Sequence, residues 1–564
     1  MSFVRSIPFA ALALFTAALA LTGQRNGGAP WWKNAVLYEI YPRSFGDTNG
    51  DGIGDLNGIT DHLDYLRDLG VDAIWITPFY PSPQVDFGYD ISDYRAIDPQ
   101  YGTMADFDRL VAEAQRRNIR VITDLVLNHT SDRHPWFIES KSSRTNPKAD
   151  WYVWRDAKPG GGPPNNWESI FGHSAWQWDP ARKQYYYHAF YKEQPDLNWR
   201  NPQLRKAMYD VARFWMQHGS AGFRLDAITS LFEDPQWRDE PIVPGKFTPF
   251  GDPVLTRQYT DNLPQVHEVL REMRKVTDEF PGRILVGEVY LPNVAELAKM
   301  YGAHNDELQL PMDTQYGFID RLSADAFRQK LREAETDIGG NDPLFVFDNH
   351  DNRRSWNRYG DGKHDEAIAK LIAALLLTPR CAALIYYGQE LGMQNNDPKR
   401  IEDVRDPKGR TGWPKDIGRD GERTPMQWTS GRNAGFGSGT TWLPVAPDYR
   451  AKNAASEAAD RNSMLNFYKT LIRLRRENDA LRDGSLTIVD ASDHDVLSFV
   501  RVSGRDRVLV ALNFTAAPHT IDYTATGVRA SGTHALLASF ANASDMPPSR
   551  VELPAYGAYI AELQ

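Results

Sequence analysis

Gly222-Phe223-Arg224-Leu225-Asp226 decides how the chain folds. Its apolar content predicts a short buried strand that ends on an acid. Period-2 alternation puts Arg224 on the same face as Asp226. A carboxylate beside a guanidinium keeps a low pKa and stays ionised, which suits a nucleophile rather than a proton donor. Two further runs end in the same way. Arg283-Ile284-Leu285-Val286-Gly287-Glu288 delivers a glutamate, and Leu344-Phe345-Val346-Phe347-Asp348-Asn349-His350-Asp351 delivers a His-Asp pair.

Around these runs, strands and helices alternate. Residues 35–41 and 71–77 read as strands, with Ile59, Leu63, Leu66 and Leu69 at helical spacing between them and Gly70 as the stop. Phe107, Leu110, Val111 and Ala114 mark the next helix, and 120–127 the third strand. Such alternation predicts a parallel α/β sheet. Later strands at 222–226, 284–288, 308–312, 344–348 and 382–387 complete the eight of a closed (β/α)₈ TIM barrel. An open doubly wound sheet is the competing fold. Acids at the carboxyl ends of well-separated strands favour the barrel.

The predicted barrel covers 30–128 and 200–480. Residues 129–199, rich in Trp, Pro, Gly and Asn, are too long for a bare loop and predict an inserted lobe. A second loop-like, charged insertion spans roughly 388–442, and 464–476 reads as a closing amphipathic helix. From 483 to 564 the pattern becomes short alternating strands, which predicts a C-terminal antiparallel β-sandwich domain.

Composition narrows the function. Apolar residues make up 41% of the 564, enough for a large core, and the net charge of −10 speaks against a nucleic-acid partner. The 16 Trp and 25 Tyr supply flat faces of the kind that stack on sugar rings, although most serve ordinary packing. Residues 1–24 read as a secretory leader, with Arg5, an apolar run from Ile7 to Leu21 and an Ala18-Leu19-Ala20 cleavage site. That predicts an exported protein, periplasmic or secreted, with no membrane segment once the leader is removed; an uncleaved anchor is the alternative. Cys381 is the sole cysteine and sits in an apolar run, so it reads as buried and inert.

The chain resembles glycoside hydrolase family 13, the α-amylase superfamily, and within it the oligo-1,6-glucosidase / α-glucosidase branch. The motifs stand in the family's order: Asp124-Leu125-Val126-Leu127-Asn128-His129, Gln194-Pro195-Asp196-Leu197-Asn198, Gly222 to Asp226, Glu288-Val289-Tyr290 and Asn349-His350-Asp351. One alone is weak; five in order on strand ends are specific. The resemblance implies that Asp226 attacks the anomeric carbon, that Glu288 protonates the leaving oxygen and then activates water, and that Asp351 binds and distorts the ring. Retention of configuration needs the two carboxyls ~5–5.5 Å apart. Glu288 then needs a raised pKa, supplied by a poorly solvated setting beside other carboxylates. Taken singly, each acid reads as a strand-end cap or an ion-pair member.

His129 and His350 abut strand ends and can donate to sugar hydroxyls, while Arg224 orients Asp226. Tyr89 and Asp90, in Asp86-Phe87-Gly88-Tyr89-Asp90, resemble the family's stacking Tyr and the Asp that holds the terminal glucose. Arg423, in Glu422-Arg423-Thr424-Pro425, resembles its partner. An Asp90–Arg423 pair would close the site beyond one glucose and imply exo action. Asp47, Asn49, Asp51 and Asp55 alternate oxygen ligands and could converge with the Ile53 carbonyl on one Ca²⁺. The alternative is a solvated Asx-rich turn. The resemblance implies a structural Ca²⁺, or Mg²⁺, remote from the chemistry.

Ala227 follows the nucleophile. In similar enzymes a small residue there goes with α-1,4 cleavage and Val with α-1,6, which points to maltose and short malto-oligosaccharides, with sucrose also open. Arg321-Leu322-Ser323-Ala324-Asp325 departs from the charged loop of the family's isomerases. The expectation is a retaining, exo-acting α-glucosidase that also transfers glucosyl groups. The alternatives are a glucosyl transferase, an isomerase or a sucrose hydrolase of the same family. From another class comes a non-catalytic carbohydrate-binding or transporter-associated barrel; such relatives lack the acids present here.

Overall fold

Eight parallel strands close into a barrel in the computed structural model, which describes residues 30–490, 493–541 and 543–564. The expected leader lies outside the described residues. In chain order the strands are β1 (Val36–Ile40), β2 (Ala73–Ile76), β3 (Arg120–Val126), β4 (Gly222–Asp226), β5 (Ile284–Gly287), β6 (Leu310–Asp313), β7 (Leu344–Val346) and β8 (Ala382–Tyr386). Each pairs with its neighbours in sequence, and β8 returns to β1, which removes every sheet edge.

The strands are buried on both faces, so they read as continuous apolar runs. Leu37, Trp75, Ile122, Val286, Met312, Val346 and Leu384 fill the barrel's interior. The alternate residues Tyr38, Ile74, Val121, Leu285 and Ile385 pack outward on the helices. The outer helices carry the caps their sequences offer. Helix Met104–Arg116 opens on a Thr103/Asp106 capping box, and helix Pro202–Gln217 opens on Asn201 with Pro at its first turn. The single helix predicted after β1 is instead two, Leu56–Asp61 and Leu63–Leu69, broken at His62. The His62 ring stacks on Trp428 with centroids 3.7 Å apart and its Nδ1 bonds the Gly58 carbonyl at 2.7 Å, which fixes the break.

Between β3 and β4 stands a lobe built on a three-stranded antiparallel sheet, with Gln184–Tyr187 between Trp154–Arg155 and Trp176–Asp179. Beyond the barrel, a five-stranded antiparallel sheet and a separate two-stranded pair form the C-terminal domain. Val496, Val500, Leu509 and Ala511 face that domain's own core, while Leu497, Phe499, Val508 and Val510 join the core shared with the barrel. Buried arginines cross this seam. Arg328 bonds the Val496 carbonyl at 2.5 Å, and Arg501 bonds the Thr378 carbonyl at 2.6 Å.

Candidate active site

The carboxyl ends of the barrel strands open into a cavity of about 310 Å³ lined by Asp226, Glu288 and Asp351 together. Asp226 is the last residue of β4, Glu288 follows β5 directly, and Asp351 stands in the turn after β7. Three distant stretches therefore converge on one space because parallel strands all point their ends the same way.

Arg224 is the hub. It is fully buried, lies over the Trp75 ring, donates through Nη1 to Asp226 Oδ1 at 2.6 Å and to Asp124 at 3.2 Å, and stands in ion-pair contact with Glu288 Oε1 at 2.7 Å. The Ala227 N–H donates to Glu288 Oε2 at 2.9 Å. Ala227 sits in the left-handed region at φ 46°. Three acids around a single guanidinium overturn one expectation. Arg224 does not hold Asp226 low; burial, with Glu288 and Asp124 close by, pushes its carboxyl well above the usual range, and Arg224 only partly opposes this. Asp124 rises to about 6, again chiefly by burial. Asp226 and Asp124 thus both hold a proton more tightly than free carboxyls do.

Asp351 differs. Burial disfavours its charge, yet His350, Arg419 and Arg423 outweigh it and hold the carboxyl well below the usual range. His350 is itself pushed far down by burial. A neutral imidazole adds no charge, so the two arginines carry the effect. Arg419 Nη1 and Arg423 Nη2 reach the same Asp351 oxygen, at 2.9 and 2.8 Å.

The expected Asp90–Arg423 pair does not form. Asp90 is buried in its own turn, where its oxygens accept Ser82 Oγ at 2.8 Å, Asp86 N at 2.9 Å and Val85 N at 3.0 Å. Those donors lie within the loop, so Asp90 braces the turn and lines no part of the cavity. Asp86 takes the place assigned to it, four residues earlier. Arg419, four before Arg423, bonds Asp86 Oδ1 at 2.8 Å and Asp406 Oδ2 at 2.8 Å. Both Asp86 and Arg419 line the cavity. The signal was present in Asp86-Phe87-Gly88-Tyr89-Asp90 as two acids in one motif. Sequence alone could not show that the second would face inward to Val85 and Asp86.

The remaining residues surround the same space. Tyr89 stacks on His350 with centroids 5.3 Å apart, and its hydroxyl lies 2.8 Å from His350 Nε2. His129 faces the cavity, and burial lowers it to about 3, so it is neutral. Gln194, of the lobe's motif, lies 3.0 Å from His129 Nε2 and 3.3 Å from Asp86, tying lobe to barrel. Sequence reading missed Phe171 and Phe190, which form an apolar flank, and Arg257, Thr260 and Asp261, which also line the cavity. Tyr290 pairs with Phe318 at the mouth, with centroids 5.5 Å apart.

The 47–55 loop lines no part of the cavity. Asp47 accepts the Gly50 and Gly52 N–H groups at 2.6 and 3.0 Å, Asn49 accepts Asp51 N and Asp51 accepts Ile53 N, both at 2.8 Å, and Asp55 caps the next helix through Gly58 N at 2.7 Å. Among the described residues, no three acidic, His or Cys side chains converge as a metal-binding group. The donor set is all oxygen, and the Asp47 oxygens, which accept one N–H each, keep a second lone pair that suits a hard cation, whereas both Asp55 oxygens are already engaged by Thr48 and Gly58.

Comparison with known proteins agrees with this geometry. Residues 39–484 match the α-amylase catalytic domain. The chain is 43% identical over 542 residues to a probable alpha-glucosidase of Rhizobium meliloti strain 1021, covering 94% of this chain and 97% of that one. Among solved structures it resembles the alpha-glucosyl transfer enzyme XgtA, at TM-score 0.86 and 39% identity, covering 95% of this chain and all of that one. It likewise resembles the trehalulose synthase MutB from Pseudomonas mesoacidophila MX-45, at TM-score 0.88 and 37% identity over the same shares. With its acids on the barrel's carboxyl rim and its family matched over most of its length, the chain is a glycoside hydrolase of family 13, the α-amylase family.

Proposed function

We propose that the protein is a retaining, exo-acting α-glucosidase that releases glucose from the non-reducing end of maltose and short α-1,4-linked oligosaccharides. The Asp86–Arg419 bridge carries this reading. Buried and lodged in the cavity wall, it would meet the far hydroxyls of one glucose and leave no path for a longer chain. The cavity is also at the small end of ligand pockets, ~300–1,000 Å³, which suits a short substrate.

Asp226 attacks the anomeric carbon, and Glu288 gives its proton to the leaving oxygen and then takes one from water. The proton retained by the buried cluster is the one spent. A glycosidic oxygen over Glu288 draws it there and leaves Asp226 charged beside Arg224. Asp351, held ionised by two arginines, grips hydroxyls whose bonds strengthen as the ring flattens. The small Ala227 side chain leaves room beside Glu288 for an α-1,4-linked aglycone. Initial rates on maltose, isomaltose, sucrose and trehalose, with products identified, test the reading. Maltose should be the best substrate and glucose the main product; conversion of maltose or sucrose to an isomer with little free glucose sinks it. Transfer to a second sugar is a further part of the proposal, supported by the apolar flank of Phe171 and Phe190, which an acceptor ring can displace water from.

The 47–55 loop is proposed to hold Ca²⁺ through Asp47, Asn49, Asp51, the Ile53 carbonyl and Asp55. There it would stiffen the connection between β1 and its helix. Chelation should lower the melting temperature by several degrees, and added Ca²⁺ should restore it; an unchanged melt removes the ion from the account.

A further inference from the structure

Glu39 is a buried acid that the chemistry above leaves unused. It lies within β1, in register with Trp75 of β2 and Tyr386 of β8, and is 0% exposed. Its Oε1 stands 2.6 Å from His350 Nδ1 and accepts the His350 backbone N–H at 3.2 Å. Its Oε2 has no hydrogen-bond partner. A buried carboxylate oxygen in that state is costly, whereas a protonated carboxyl tolerates it.

The far side of the ring fixes the direction of the bonds. His350 Nε2 lies 2.8 Å from the Tyr89 hydroxyl and 3.4 Å from Asp351 Oδ2. Tyr89 donates to Asp124 Oδ2 at 3.2 Å, where the Trp75 indole also donates at 3.1 Å. A phenol has one proton to give. The Asp351 carboxylate beside Nε2 calls for a hydrogen on that nitrogen, so the Tyr89 proton goes to Asp124 and the Tyr89 oxygen accepts from Nε2. Either Nδ1 is then bare and receives a proton from Glu39, or the imidazole is charged and Glu39 is ionised. Both arrangements put two protons on the pair.

We propose that Glu39 is a positioning residue that shares a proton with His350, keeping an Nε2–H aimed at Tyr89 and Asp351 and so holding the glucose-binding wall in its donor form. The inference rests on the glucosidase reading of this cavity. Loss of the shared proton leaves Glu39 ionised and accepting from Nδ1–H, with a bare Nε2 against the Asp351 carboxylate. The surrounding groups pull both ways. Asp351 and Asp124 favour keeping the proton, while Arg224, Arg419 and Arg423 favour its loss; Tyr386 beside Glu39 and Tyr41 stacked on His350 stay neutral. Burial pushes Glu39 up and His350 down, which rests the shared proton on the carboxyl.

The test is the pH dependence of kcat and KM on maltose for the wild type, Glu39→Gln and Glu39→Leu. The amide introduced by Glu39→Gln can donate to Nδ1 without titrating, so neutral His350 keeps its Nε2–H in alkali. In Glu39→Gln the basic limb of 1/KM should move up by at least about one pH unit, while the basic limb of kcat stays in place. In Glu39→Leu, KM should rise about tenfold at neutral pH, the cost of an unpartnered ring nitrogen. A Glu39→Gln profile that superimposes on the wild type, or 1/KM and kcat limbs that shift together, overturns the proposal. If the leucine variant does not fold, the glutamine profile decides alone. Should the wild type turn over no α-glucoside, the functional reading falls separately, and calorimetry of glucose binding against pH then decides the Glu39 question.

Discussion

Asp226→Asn is expected to cut kcat by about 10⁴-fold or more, because no covalent intermediate can form without the attacking oxygen. Folding should survive. The amide keeps the carbonyl that accepts from Arg224 Nη1 at 2.6 Å, and removing one of three crowded acids relieves repulsion around Glu288 and Asp124. A raised carboxyl pKa in the native state means that ionising Asp226 opposes folding as the pH rises past its unfolded value. The variant should therefore melt at or above the wild-type temperature near neutral pH. Thermal melts beside single-turnover assays check both halves. More than about a hundredth of wild-type activity, set against that expected loss, would show that another group attacks.

The second large effect is expected at Arg419→Ala. Its guanidinium touches Asp86, Asp351 and Asp406, and its side chain is 7% exposed. Deleting it leaves buried carboxylates without their counter-charge, a loss of ~3–5 kcal/mol for a broken buried pair. Much of that falls on substrate binding, so kcat/KM should drop by about 10²–10³ with a lower melting temperature. Measured KM for maltose should carry most of the change. A variant with wild-type KM would mean that the Asp86 end of the cavity does not meet the sugar, and the exo reading would lose its support.

The strand ends were legible because the information is local. Gly222 to Asp226 states its own burial and its own terminal acid, and eight such runs have few ways to close. The family motifs pointed to three acids that the barrel brings to one cavity. What stayed hidden was orientation inside short motifs. Asp86 and Asp90 stand in one turn, as Arg419 and Arg423 stand in another, and only the folded backbone shows which of each pair faces the cavity. The state of Asp226 is hidden from the sequence for a related reason. The Arg224–Asp226 spacing is visible in sequence, whereas the arrival of Glu288 and Asp124 at the same guanidinium is a tertiary event. Glu39 gave no sign at all, since an acid inside an otherwise apolar strand is explained only by its contact with His350, 311 positions away.

The arginines that bridge the barrel and the C-terminal sheet, one from each side, have a bearing on how such a chain can change over time. Arg328 and Arg501 each satisfy carbonyls on the opposite side of the seam. Swapping the tail for an unrelated module would strand the Arg328 guanidinium and rob the Thr378 carbonyl of its Arg501 donor, so recombination at that border carries a cost on both sides. Variation has to come through the loops that crown the strands, and the tail travels with the barrel as one inherited block.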